Sequence, residues 1–71
     1  MSKITKRQIQ VLNQLSLGKS NRDIGKALNI QEGTVKVHIG KLFVITNSKT
    51  RIGLASNYIA NKEYWNPEGI Q

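Results

Sequence analysis

The sequence predicts an all-α fold of four short helices, and three observations carry that prediction. Apolar residues recur at helical spacing in four separate stretches. Residues suited to capping a helix, Thr5, Ser20 and the pair Asn47-Ser48, stand ahead of three of those stretches. Gly18 and Asn29, which tolerate the backbone of a sharp stop, lie just past the first two.

The first predicted helix covers about residues 6–17. Thr5 with Gln8 three positions later forms a capping-box pattern, and Ile9, Val11, Leu12 and Leu15 make a broad apolar stripe. Residues 1–3 are expected to fray. Lys6 and Arg7 read either as solvated charges or as phosphate contacts. Ser20 opens the second helix, residues 21–28, with Asp23 favourably placed near its amino end and Ile24, Ala27 and Leu28 as its apolar stripe. Gly25 costs a helix interior about 1 kcal/mol relative to Ala, so a close neighbour is expected there. Only Asn29, Ile30 and Gln31 separate this helix from the third, and Asn29 stands where the chain must reverse through the left-handed region. The third helix spans residues 32–45, with Val35, His38, Ile39, Leu42 and Phe43 on one side. The fourth, residues 49–60, carries two apolar stripes: Ile52, Ala55 and Ile59, and beside them Leu54 and Tyr58. One stripe can complete the core, and the other is either a self-association surface or part of one wide core-facing stripe; on the first reading Leu54 and Tyr58, with Asn61 at the helix end, are the candidate dimer residues. The domain is expected to occupy residues 1–61. In the tail, 62–71, Tyr64 and Trp65 are expected to fold over the core, with disorder beyond Pro67.

Composition narrows the function. A chain of 71 residues supports one small core, and with no cysteine and a single histidine it has no disulfide and no donor set for a metal. No cofactor is expected. No apolar run approaches the ~20 residues of a membrane span and no signal-peptide core is present, so a cytoplasmic location is expected. All 11 Lys and Arg fall within residues 1–62, where Asp23 and Glu32 are the only acids, and the formal net charge is +7. A field of this sign suits phosphate backbones or anionic surfaces; the alternative is a solvated basic surface with no such partner. No carboxylate pair, phosphate-cradling loop or nucleophile pattern supports catalysis, and His38 reads as a structural or phosphate-contacting imidazole.

Two short helices joined by a sharp turn form the pattern of a helix-turn-helix, whose second helix enters the DNA major groove. The outward face of helix 3 carries Gly33, Lys36, Val37, Gly40, Lys41 and Val44, and no acid. Lys36 can donate to guanine, Val37 can pack on a thymine methyl, and Gly33 and Gly40 allow close approach to a groove wall. A frayed or distorted helix is the competing explanation of the glycines. Lys41 reads as a phosphate anchor, and Asn21 and Arg22, in the first turn of helix 2, read either as phosphate contacts or as an ordinary polar turn.

These residues, from Ile4 through Leu12, Gly18 through Ile24, Leu28 through Ile30 and above all Thr34-Val35-Lys36-Val37-His38, resemble the LuxR/GerE-type (NarL/FixJ-like) DNA-binding domain. The resemblance covers residues 4 to about 60. It implies a four-helix domain in which helices 2 and 3 form the helix-turn-helix and helix 4 mediates dimerisation. It places Lys36 and Val37 at positions that face bases, Asn21, Thr34 and His38 at or near backbone contacts, and Arg51, at the family's arginine at the start of helix 4, as a further backbone contact. The chain departs from the pattern at Gln31, where a serine cap is usual, and at Gly40, where some members project a base-contacting side chain. Val44, Ile45, Thr46 and Ser48 replace a common Lys-Lys-Leu-x-Val pattern, and Thr50 replaces an asparagine.

The expected function is sequence-specific binding of double-stranded DNA by a bacterial transcriptional regulator acting as a homodimer, either stand-alone or as the carboxy-terminal domain of a larger protein. An adaptor that keeps the fold and docks RNA polymerase or another regulator, or non-specific nucleoid-associated DNA binding, are the alternatives.

Overall fold

A computed structural model describes residues 4–71; the expectation of fraying at residues 1–3 lies outside them. Five helices follow one another: α1 (Lys6–Ser16), α2 (Asn21–Leu28), α3 (Glu32–Thr46), α4 (Arg51–Ala60) and a single turn, α5 (Lys62–Trp65). Helix α1 is the hub, packing against α2, α3 and α4. Its Ile9, Val11, Leu12 and Leu15 meet Ile24 of α2, Val35, Ile39 and Leu42 of α3, and Leu54 and Tyr58 of α4 in one core. Each such side chain, fully buried, contributes about 1.5–3 kcal/mol, and here nothing covalent assists them.

The local signals at α1 and α2 act as the sequence suggests. Thr5 Oγ1 accepts from the Gln8 backbone N–H at 3.2 Å and Gln8 Oε1 accepts from the Thr5 N–H at 2.9 Å, closing the capping box. This return bond is why Gln8 is buried. Ser20 Oγ accepts from the Asp23 N–H at 3.1 Å. Asn29 ends α2 with φ 58°, in the left-handed region, and the Ile30 N–H donates back to the Gly25 carbonyl at 2.9 Å. Gly25 is buried where α3 begins: a Cβ there would lie 2.7 Å from the Ile30 carbonyl oxygen. Ala27, assigned by spacing to the apolar stripe, is instead exposed.

The junction between α3 and α4 differs from expectation. Asn47 and Ser48 do not cap α4. Asn47 ends α3 in the left-handed region, at φ 55°, and the Ser48 N–H donates to the Phe43 carbonyl at 3.1 Å. The cap of α4 is Thr50, whose Oγ1 accepts from the Gly53 N–H at 2.9 Å, so the helix starts two residues later than residue 49. A second asparagine turn followed by a threonine cap makes the corner that the sequence pattern placed in one step.

Helix α4 also shows the other of its two apolar stripes to the core. Leu54 and Tyr58, the candidate dimer residues, are wholly buried within the protomer, whereas Ile52 and Ile59 are 80% and 61% exposed. The reason lies in partners for the Tyr58 hydroxyl: it donates to Asn13 Oδ1 on α1 and accepts from Asn66 Nδ2 in the tail. Turned outward, it would leave Asn13 and Asn66 without that link. Asn61 remains exposed.

The tail is held further along than its composition suggests. Trp65 packs 6.0 Å from Tyr58, centroid to centroid, and partly covers the core, as expected, but Tyr64 is exposed. Beyond Pro67, where disorder was expected, the Ile70 N–H donates to Asn66 Oδ1 at 2.7 Å. The Ile70 carbonyl accepts from Asn66 Nδ2 at 2.8 Å and from Asn13 Nδ2 at 2.7 Å. Asn66 is therefore buried and ties the end of the chain to α1 and α4.

Candidate nucleic-acid interface

Helix α3 is continuous from Glu32 to Thr46, so Gly33 and Gly40 do not mark a frayed or distorted segment. With about 100° between successive residues, Val35, Ile39 and Leu42 point into the core while Gly33, Val37, Gly40 and Val44 share one narrow stripe on the opposite side. Val37 is 56% exposed and Val44 81%. Lys36 borders the stripe on one side and Lys41 on the other, both exposed. Thr34 is exposed in the first turn, beside Gln31, which stands at the N-cap but makes no side-chain capping bond.

The charges on this face are only loosely held. Lys36 Nζ lies 4.0 Å from Glu32 Oε2 one turn earlier, with both side chains largely in solvent. Such a pair contributes under about 1 kcal/mol and yields readily to a stronger acceptor. His38, half-buried at the edge of the core, has its pKa lowered from the ordinary 6.5, first by desolvation and then by the positive charges of Lys41 and of Arg7 on α1. It is therefore neutral at pH 7, able to donate from one ring nitrogen without adding charge.

Arg51 shows what spacing could not. Its guanidinium donates to Asn21 Oδ1 at 2.6 Å and to the Lys19 carbonyl at 2.8 Å, fastening the start of α4 to the start of α2. Two residues assigned separately to backbone contacts thus form one unit 30 positions apart in sequence. Arg51 places a positive charge beside the free N–H groups of the α2 amino end, a position that favours an anion. Asn21 keeps its amide N–H donors, and Arg22 next to it is exposed. No local pattern encodes the link; the sequence singles out Arg51 only through its match to the family's arginine at the start of helix 4.

A second surface emerges away from α3. Ile52, Ala55 and Ile59 of α4 line a shallow groove with Leu15 and Ser16 of α1, and the adjoining Leu17 is itself well exposed. Leu17 sits at the C-cap of α1, outside the stripe that the helical period picks out, so periodicity passed over it. Among the described residues no helix is long and apolar enough to cross a membrane.

Comparison with known proteins agrees with this geometry. Residues 2–57 match the GerE family model, described as bacterial regulatory proteins of the luxR family. The nitrate/nitrite response regulator protein NarP of Escherichia coli is 45% identical over 51 residues, 72% of this chain and 24% of that protein. A nitrate/nitrite response regulator protein homolog of Haemophilus influenzae is 40% identical over 52 residues, 73% of this chain and 25% of that protein. The CsgBAC operon transcriptional regulatory protein of E. coli is 45% identical over 40 residues, 56% of this chain and 18% of that protein. The chain spans about a quarter of the length of the first two. No solved structure gives a significant match. With the family model covering most of the chain and a helix-turn-helix whose second helix presents Lys36 and Lys41 on either side of its outward stripe, the chain belongs to the luxR family of bacterial regulatory proteins as its DNA-binding domain.

Proposed function

We propose that the protein binds specific sites in double-stranded DNA as a transcriptional regulator, with α3 in the major groove. The observation that carries this reading is the face of α3 opposite the core: Gly33, Val37, Gly40 and Val44 flanked by Lys36 and Lys41. A purely solvated helix face is rich in Glu, Lys and Gln, whereas this one is smooth, apolar along its centre and positive at its borders. Lys36 donates to a base edge and Val37 contacts one, with Gly33 and Gly40 admitting the groove wall. Asn21, Arg22, Thr34, His38, Lys41 and the Arg51 unit hold the phosphates and set the register without reading sequence. The formal charge of +7 supports the same assignment.

The protein acts as a homodimer on a two-fold-related site, in the cytoplasm, on nucleoid DNA. Its dimer surface is the Ile52 and Ile59 side of α4 together with Leu17 at the end of α1, rather than Leu54 and Tyr58, with exposed Asn61 at the helix end. Ile52→Glu, on the surface and away from the core, is expected to lower affinity for a two-half-site duplex while leaving the fold intact.

Selection of bound duplexes from a random pool at near-physiological salt, followed by sequencing, tests the reading. Enrichment of a two-fold-symmetric motif is the expected result. Binding without enrichment points to non-specific association, and no binding refutes the assignment in favour of a protein partner such as RNA polymerase.

A further inference from the structure

Four of the six glycines have an explanation inside the protein. Gly18 and Gly69 have positive φ, Gly25 is closed off by the turn, and a Cβ on Gly53 would meet the capping Thr50 Oγ1 at 3.0 Å. Gly33 and Gly40 are different. Each lies within a regular helix, and a Cβ on either would meet nothing within 4 Å. The fold gains nothing from them and loses helix propensity at both.

They alternate with two exposed valines, Val37 and Val44, and no side chain from Glu32 to Thr46 is an Arg, Asn or Gln. Arginine for guanine and asparagine or glutamine for adenine are thus missing from this helix, and Lys36 is left as the hydrogen-bonding reader beside an apolar ridge. Lysines on both borders of the ridge fit it to a polyanion rather than to an apolar protein surface. In the major groove, the apolar feature that marks one base is the thymine C5-methyl.

On the DNA-binding reading above, we propose that Val37 and Val44 select thymines by contact with their methyl groups, and that Gly33 and Gly40 let the helix backbone sit close enough to the groove floor for those contacts. Seven residues of helix separate the valines by about 10 Å along its axis. At about 3.4 Å per base step, the two thymines lie about three steps apart. Recognition here is by shape and methyl pattern, with Lys36 adding one polar reading.

Two measurements on the full chain test this, using duplexes recovered by the selection described above. In the first, deoxyuridine replaces thymidine at single positions, which removes the methyl and leaves every hydrogen-bonding group. Affinity is expected to fall about fourfold at each contacted position, the effect of one buried methyl group. The loss is expected to vanish at one position in Val37→Ala and at the other in Val44→Ala, as a double-mutant cycle requires. In the second, Gly40→Ala is expected to melt about 4–8 °C higher than the parent and yet bind the selected duplex about fivefold or more weakly. A purely structural role for Gly40 cannot produce those opposite signs. Uracil duplexes bound as tightly as the parent, or a Gly40→Ala protein that binds as well as the parent, would overturn the proposal while leaving DNA recognition intact. Failure of the unmodified duplexes to bind would refute both.

Discussion

Gly25→Ala is the substitution whose outcome the geometry determines most sharply. The new methyl would lie 2.7 Å from the Ile30 carbonyl oxygen, 3.5 Å from the Glu32 nitrogen and 3.6 Å from the Gln31 carbonyl carbon. All three are backbone atoms of the turn, so no side chain can swing away to make room. The turn must move by several tenths of an ångström, which strains the left-handed Asn29 and the 2.9 Å bond from the Ile30 N–H to the Gly25 carbonyl. Overpacking of this kind costs about 1–3 kcal/mol and weakening that bond about 1 kcal/mol more. Against this stands a gain of about 1 kcal/mol in helix propensity. The net loss is about 2 kcal/mol, and at 4–8 °C per kcal/mol for a domain of this size the melting temperature falls by about 8–16 °C. Thermal unfolding followed by far-ultraviolet circular dichroism measures it. Gly40→Ala is the internal control: the same residue change, in the same secondary structure, in open space, with the opposite sign. A Gly25→Ala protein melting at or above the parent would refute the close packing of α2 on the start of α3.

Other consequences can be checked on the same preparations. Lys36→Ala is expected to cost roughly 1–3 kcal/mol on the best site and to relax base preference there, whereas Lys41→Ala weakens all duplexes alike and lowers the salt slope by about 0.9; equal losses on specific and random DNA for Lys36→Ala would remove its base-reading role. Arg51→Ala removes the bonds to Asn21 and the Lys19 carbonyl, and a destabilisation of about 1–3 kcal/mol is expected in denaturant titration. Because the folded pKa of His38 is depressed, the unfolded chain takes up its proton at higher pH. The stability contribution is thus complete above pH 6.5 and declines as pH falls from there through the folded pKa. His38→Gln is expected to abolish that part of the slope. Asn66→Ala removes two of the three bonds that hold Ile70 and one partner of the Tyr58 hydroxyl, leaving only the bond from Asn13, so residues 67–71 are expected to become more open to carboxypeptidase while α1 to α4 stay folded.

Much of the candidate interface was legible in the residues themselves, because its signals are local. A capping box spans three positions, so Thr5 and Gln8 announce the start of α1 whatever surrounds them. The bounds of α2, the left-handed Asn29 and the crowding at Gly25 follow from a turn only three residues long. The outward face of α3 follows from its period: Val35, Ile39 and Leu42 share one side, and the two glycines fall with Val37 and Val44 on the other, which leaves that side the poorer one to bury although it is apolar as well. Tertiary structure decided the rest. Periodicity gives the angle between residues on a helix but not the rotation of that helix against its neighbours. Helix α4 carries two apolar stripes, and the choice of Leu54 and Tyr58 over Ile52 and Ile59 rests on Asn13, 45 positions before Tyr58, and on Asn66. The same holds for the Arg51–Asn21 link across 30 positions and for the tail, which Asn13 grips from 57 positions away. Hydrogen bonds that join distant segments satisfy groups whose need for a partner is written in the sequence, but the identity of that partner exists only once the helices have packed.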